Sequence, residues 1–319
     1  MRRRLLSIRL LAGVAGLTLS AVSALAQQAS PTPSTVQLHF AWPVGTEARV
    51  HYVKIMEREE GTPPSTVEIE GEYVVHVHPH PLGLVIEHLD PVATRFVATP
   101  VLPPDDPRRA VWSTIGAPLT DWVVSEDGEL LGIAREDVLA RLLVETLRPL
   151  ELEEAELQVA LDEFMSESQL VGHARELWRA MVGAWADTEF VMDEPQMSEA
   201  EETNPLIPSV VLSYRHEYRL AGVEDCPAPS GRCVHLHLTS FPDPRELTAV
   251  MSNALRELGL ATMSFDRLIQ LTRMELVTDP ETLLPHAVEV SKRVDGILVA
   301  DGERRVFRRS DETRLVFSY

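Results

Sequence analysis

The alternation of apolar and polar side chains is clearest at residues 66–78, which read TVEIEGEYVVHVH. The two faces of this segment differ, because every second residue of an extended chain points to the same side. Glu and His predominate on one face, and the other face carries Val67, Ile69, Tyr73, Val75 and Val77. A strand with one apolar and one polar face is typical of an antiparallel sheet, so this segment predicts the fold class.

Alternation of the same kind continues on both sides of this segment. It predicts strands at residues 36–42, 48–52, 82–89, 121–133, 210–220 and 234–238, and a meander of strands near the C-terminus. The first two strands are joined by a turn at Pro43–Thr46. Residues 121–133 are predicted to form a hairpin that turns at Glu126-Asp127-Gly128.

A helical period of apolar residues interrupts the strands at about residues 135–186. The last helix of this insert is predicted at 167–185, where it aligns Leu170, Ala174, Leu177, Trp178, Met181 and Trp185. A further helix is predicted at 244–258, and the acidic residues 187–206 are predicted to form a loop. These elements indicate a single α+β domain, residues 36–319. In it a curved, largely antiparallel sheet forms an incomplete barrel, and the helices, inserted centrally, pack on one side.

The first 26 residues have the composition of a cleavable export signal. Four arginines precede an apolar stretch at 10–22, and Ala24-Leu25-Ala26 supplies the small residues that a signal peptidase requires. Residues 27–35 are polar and contain prolines, which predicts a disordered tether. No cysteine lies near the cleavage point, so a lipoprotein is not expected. We expect a soluble protein of the bacterial periplasm.

The chain is acidic, with a formal net charge of −20, and loss of the four signal arginines would change this to −24. A surface of this charge repels nucleic acid and anionic membranes, so neither is expected as a partner. Beyond the signal, no apolar stretch approaches the roughly 20 residues that a membrane-spanning helix needs.

Cys226 and Cys233 are the only cysteines of the chain. An even number of cysteines in an exported protein predicts a disulfide. The residues between them, Pro-Ala-Pro-Ser-Gly-Arg, favour a turn, so the bond is expected to staple a hairpin.

Two His-x-His pairs are the main chemical signal in the sequence: His76 with His78, and His235 with His237. On a strand, residues i and i+2 project from the same face, so each pair offers two imidazoles to one metal ion. If the two strands were neighbours, four nitrogens would converge on zinc or copper. The alternative interpretation is that these histidines are ordinary polar residues of half-exposed strands.

The helix stripe of Trp178, Met181 and Trp185 is the candidate ligand wall, because tryptophan and methionine suit adaptable apolar contacts. The alternative is a helix face that packs on the sheet. Common sequence motifs of catalysis and cofactor binding, including the nucleophile elbow, the P-loop and the zinc-protease helix, do not occur in the sequence. No cofactor is expected.

The order of elements resembles the periplasmic lipid and lipoprotein carriers of the LolA-like class, and also uncharacterised exported bacterial proteins of similar layout. The resemblance lies in the amphipathic strands from Val36 onward, the central helices, and residues 274–286. This last segment reads MELVTDPETLLPH, in which a strand and an Asp-Pro-x-Thr turn are followed by a proline that enters a new strand. The resemblance implies an incomplete antiparallel barrel that cups an apolar ligand under helices.

The leading hypothesis is therefore a non-enzymatic periplasmic carrier of an apolar, lipid-like ligand or of a lipidated protein. A metal-binding protein or metal-dependent hydrolase that uses the His-x-His pairs is the first alternative. An envelope scaffold without a small ligand is the second.

Overall fold

The computed structural model describes residues 35–59, 64–104, 106, 109, 112–113, 120–135, 141, 144–148, 167–204, 207–227, 231–257, 259–260 and 262–319. These residues all fall in one structural unit, Ser34–Tyr319. The predicted export signal lies outside the described residues, as do the predicted tether up to residue 34 and residues 149–166 of the predicted helical insert.

Strands dominate the described part of the chain. They are β1 (Thr35–Gln37), β2 (Glu47–Glu59), β3 (Ser65–His80), β4 (Gly83–Thr99), β5 (Asp121–Ser125), β6 (Leu130–Ala134), β7 (Glu189–Val191), β8 (Gln196–Asn204), β9 (Ile207–Asp225), β10 (Arg232–Pro242), β11 (Met263–Thr278), β12 (Pro285–Ala300) and β13 (Glu303–Ser318). The helices with described bounds are α1 (Glu167–Trp178), which a π-helical turn (Arg179–Gly183) continues, and α2 (Pro244–Glu257).

Eleven strands form one sheet in the order β6-β5-β4-β3-β2-β13-β12-β11-β10-β9-β8, and β1 pairs with β7 separately. Every neighbouring pair in the large sheet is antiparallel. The sheet is not closed into a barrel. The predicted α+β class is therefore confirmed in part, because the open antiparallel sheet is present but strands outweigh helices.

The sheet consists of two meanders, β2–β6 and β8–β13, which meet where β13 pairs with β2. The alternating segment at residues 66–78 lies within β3, in the first meander. Ile69, Tyr73 and Val77 are buried there, as the period-two pattern predicts. We call the side of the sheet on which these residues lie the core face, and the opposite side the outer face.

Both helices pack on the core face. Leu212 and Tyr214 belong to a buried cluster under α2, whereas Leu220 belongs to the main core around the π-helical turn. These three residues of β9 are separated by even numbers of positions, so they point to the same side of the sheet. The helix predicted at 244–258 is α2, and its first turn is capped by Asp243, whose Oδ1 accepts hydrogen bonds from the backbone N–H groups of Arg245 and Glu246.

Two predicted elements differ from the structure. Residues 187–206 were expected as a loop, but they contain β7 and the edge strand β8. The sequence of β8 shows no apolar alternation, because it is rich in charged residues. Charged residues are common on edge strands, where they prevent pairing with another chain. The strand predicted at 36–42 ends at Gln37, because Leu38 and Ala41 donate backbone hydrogen bonds to the loop residues Thr188 and Thr282.

The predicted disulfide is confirmed. Cys226 and Cys233 are bonded, with their Cα atoms 5.6 Å apart. The bond lies where β9 ends and β10 begins, next to the paired residues Asp225 and Arg232. It therefore staples the turn end of a hairpin, as the turn-forming residues between the cysteines predicted.

Gly71 allows β2 and β3 to approach closely on the core face, because the ring of Tyr52 packs over it. A Cβ at position 71 would lie 2.6 Å from that ring and would also collide with the carbonyl oxygen of Val92. Gly71→Ala is therefore expected to lower the free energy of unfolding by about 2–3 kcal/mol, the cost of overpacking. Equilibrium unfolding in urea measures the change.

Gly132→Ala on β6 is the matched control, because no heavy atom lies within 4 Å of a Cβ built at that position. This variant is expected to be neutral or to gain up to about 1 kcal/mol, since alanine loses less backbone entropy on folding. Equal destabilisation of the two variants would contradict the close approach at Gly71.

Candidate functional site

A cleft of about 650 Å³ lies on the core face, between α1 with its π-helical turn, the turn that joins β5 to β6, and the strands β8 and β9. Its volume falls within the range of roughly 300–1,000 Å³ that is typical of small-molecule sites. Each element contributes to the lining, which includes Gly128, Leu130, Trp178, Arg179, Ala200, Glu202, His216 and Tyr218.

Three polar side chains form a connected group in the cleft, which we call the Arg179 cluster: Arg179, Glu202 and His216. The Nη1 atom of Arg179 donates to Oε1 of Glu202 at 2.6 Å. The Nε2 atom of His216 lies 3.1 Å from the same oxygen, and the Arg179 guanidinium lies 3.4 Å from the His216 ring nitrogens. Only 1% of His216 is exposed, whereas the side chains of Arg179 and Glu202 are 26% and 29% exposed, so the cluster forms a half-buried polar floor.

The carboxyl group of Glu202 is held ionised by its neighbours. Burial alone would raise its pKa, but the hydrogen bond to His216 and the positive charge of Arg179 outweigh burial and place the pKa below its usual value. A charge that is half-buried and satisfied in this way offers fixed hydrogen-bonding geometry to a polar group that enters the cleft.

The predicted ligand wall is divided between the cleft and the core. Trp178 lines the cleft, whereas Met181 and Trp185 are not among its lining residues and are buried behind it. Trp185 donates its Nε1–H to the carbonyl of Ala180 at 2.7 Å and packs against Tyr218, which does line the cleft. Contact of this stripe with a ligand stays a prediction, and within it Trp178 is the residue with access to the cleft.

The core next to Trp178 is filled by aromatic rings. The ring centroids of Phe40, Trp42 and Trp122 lie 5.7, 5.4 and 6.0 Å from that of Trp178. Rings at these distances pack edge to face and leave little room between them. The space available to a guest molecule near the predicted stripe is therefore the cleft.

Ser198 also lines the cleft, opposite His216 in the register of β8 and β9. In the part of the chain that the structure describes, its hydroxyl makes no hydrogen bond to His216, whose ring faces Arg179 and Glu202 instead. A serine nucleophile requires a base within hydrogen-bonding reach. Ser198 and His216 are therefore not arranged as a nucleophile and its base.

The two His-x-His pairs do not converge. His76 and His78 lie on β3, and His235 and His237 lie on β10, with β2, β13, β12 and β11 between them. Five strand spacings correspond to about 24 Å, so the condition for four nitrogens around one ion, that the two strands be neighbours, is not met. His76 and His78 do face the same way as predicted, beside a residue that the sequence did not single out, Glu87.

No helix within the described ranges combines the length and the apolar character needed to cross a membrane.

No protein-family model matches the chain, and no curated protein matches it. Among solved structures, the chain is similar to one of lipovitellin that concerns lipid–protein interactions in that protein, with a TM-score of 0.41 and 9% sequence identity. The match covers 90% of this chain and 25% of the lipovitellin chain, so this chain spans about a quarter of the length of the protein it matches. The predicted resemblance to LolA-like carriers stays a prediction.

Proposed function

We propose that this protein is a non-enzymatic binding protein of the bacterial periplasm that carries an amphipathic, lipid-like molecule. The observation that carries the proposal is the cleft of about 650 Å³ in which an aromatic and aliphatic wall adjoins the half-buried Arg179 cluster. Binding sites for small molecules commonly combine apolar walls with fixed polar groups. Here the lining also includes the charged residues Asp127, Glu129, Arg175 and Asp187.

The two kinds of surface suggest how such a ligand lies. Its apolar part packs against Leu130, Trp178 and Tyr218, where burial contributes roughly 25 cal/mol for each Å² removed from water. Its polar end meets the Arg179 cluster, which is already held in place by hydrogen bonds. A site that is ordered before binding loses less entropy when the ligand arrives.

The proposed location is supported by the export-signal composition of residues 1–26 and by the disulfide. Disulfides persist in oxidising compartments such as the bacterial periplasm and are rare in the cytosol.

One preparation tests location and binding together. When the whole chain is expressed in a bacterium, we expect it in the periplasmic fraction, with the mass of a chain that begins at Gln27. The purified protein is then titrated with the fluorescent fatty acid anthroyloxy-stearate. We expect saturable binding with a Kd of about 1 μM, in the range of an apolar ligand with a fixed polar contact.

Ala200→Trp fills the cleft from β8 and is expected to weaken probe binding by about tenfold or more. Met197→Trp is the matched control, because Met197 lies on the outer face of the same strand and is 62% exposed. Equal affinities for the two variants would contradict the assignment to the cleft. If the unaltered protein does not bind the probe and an organic extract of it contains no lipid, the proposal that it carries a lipid-like molecule is contradicted.

A further inference from the structure

The outer face of the sheet carries a cluster of potential metal ligands on β3 and β4. His76 and His78 lie two positions apart on β3, so their side chains project from the same face. The register places Glu87 of β4 directly opposite His76. On the other side of β3, Glu47 of β2 is also opposite His76. Three neighbouring strands thus bring two imidazoles and two carboxylates together.

The distances suit a single ion. One ligand atom from each of His76, His78 and Glu87 lies within 4.8 Å of the other two. The Nε2 atom of His78 is 3.1 Å from Oε2 of Glu87, and the Nε2 atom of His76 is 2.9 Å from Oε2 of Glu47. A tetrahedral zinc ion with bonds of 2.0–2.1 Å places its ligand atoms about 3.3 Å apart. Small rotations of the two half-exposed imidazoles are sufficient to reach this spacing.

A neighbouring pair of charges orients the cluster. Oε1 of Glu87 lies 3.5 Å from Nη1 of Arg135, which also lies 3.3 Å from Oδ2 of the buried residue Asp121. Oε2 of Glu87 remains directed at His78. Hydrogen-bonding partners that hold a ligand in this way typically raise metal affinity, because the ligand is positioned before the ion binds.

We propose that His76, His78 and Glu87 bind one divalent transition-metal ion, for which zinc is the natural probe. Two imidazoles with carboxylate oxygens form a ligand set that zinc commonly accepts. The Glu87 carboxylate also offsets part of the charge of a divalent ion. The site lies on the outer face, away from the cleft, and is independent of the proposed carrier function.

The other histidine pair provides an internal comparison. His235 on β10 lies 3.0 Å from Glu224, but within the described ranges His235 and His237 belong to no group of three ligands at the same spacing. Cys226 and Cys233 lie near His286, but both sulfurs are bonded to each other and therefore are not thiolate ligands. The two His-x-His pairs thus share a motif and a sheet face but differ in the third ligand.

The test uses the mature protein without a histidine tag, freed of metal with EDTA and titrated with zinc chloride by calorimetry. We expect one ion per chain with a Kd of about 1–10 μM. The double variant His76→Gln/His78→Gln is expected to bind at least about 100-fold more weakly, because two of the three ligands are lost, and Glu87→Gln about tenfold more weakly. His235→Gln/His237→Gln is the matched control and is expected to keep the affinity of the unaltered chain.

A second readout distinguishes an ordered site from loose association with surface histidines. Cobalt(II) in a four-coordinate protein site absorbs visible light much more strongly than aqueous cobalt(II), so we expect this absorption in the unaltered chain and in the His235/His237 control only. Unfolding midpoints measured in EDTA show whether each variant is folded. A zinc Kd weaker than about 1 mM, or equal losses in the two double variants, would overturn the proposal.

Discussion

Trp178→Ala is expected to lower the free energy of unfolding by about 4 kcal/mol, because it removes the ring around which the core is packed. Only 2% of Trp178 is exposed. Its ring contacts those of Trp42 and Trp122, and its Nε1–H donates to the carbonyl of Gly128 at 2.8 Å. Truncation therefore leaves both a large cavity and an unpaired carbonyl group.

Equilibrium unfolding in guanidinium chloride measures this effect, and two further variants define its origin. Trp178→Phe retains most of the ring but loses the hydrogen bond, so a smaller loss of about 1–2 kcal/mol is expected. Leu131→Ala on β6 removes a side chain that is 45% exposed and is expected to change stability by no more than about 0.5 kcal/mol. A loss below about 1 kcal/mol for Trp178→Ala would show that this ring does not hold the core together.

His88 is expected to make the protein less stable as the pH falls from about 6.5 to about 4. Its ring packs 4.5 Å from that of Trp122 and 5.5 Å from that of Tyr73. Burial lowers the pKa of His88 to about 4, although a hydrogen bond to the Thr120 backbone opposes the shift. In this range the unfolded chain binds a proton that the folded chain does not, so stability falls by up to about 3 kcal/mol and then levels off.

The comparison of the unaltered chain with His88→Gln isolates this contribution, because the other titrating groups are common to both. Urea unfolding at about pH 7 and about pH 5 is expected to show a smaller loss of stability for the variant. Asp121 acts in the opposite direction toward the low end of this pH range. Its carboxyl accepts a backbone hydrogen bond, but burial is the chief influence and raises its pKa. The variant retains Asp121, so its effect is common to both proteins. Parallel pH curves for the two proteins would contradict a buried, neutral His88.

The period of the sequence was sufficient to predict local structure where one face of an element is buried. β3 and α2 match their predictions because the apolar residues of each repeat at the spacing of its own element. Ile69 and Tyr73 of β3 and Leu247 of α2 are buried in the core. β8 does not follow this rule, since an edge strand with charged residues has no such repeat. The order of the strands could not be predicted either, because alternation specifies a face but not a neighbour.

The candidate sites were predicted only where the signal is local. Trp178 belongs to a visible helical stripe, and His76 and His78 are adjacent on one strand face. Glu87 and Glu202 reach their partners through strand pairing, which connects residues that the sequence separates. His216 did carry a signal, because it alternates with Tyr214 and Tyr218 on an apolar face, where a histidine requires buried polar partners.

The pairing of β13 with β2 has a consequence for how a newly made chain matures. Until the segment Arg308–Ser318 is synthesised, β2 and β12 both have unpaired edges, and no strand pairing joins the two meanders of the large sheet. Closing this junction brings together residues as distant as Arg49 and Ser318, which is entropically costly and slow. Because β13 follows β2 and β12 in the chain, the synthesis of β13 sets the earliest moment at which the two halves can become one continuous sheet.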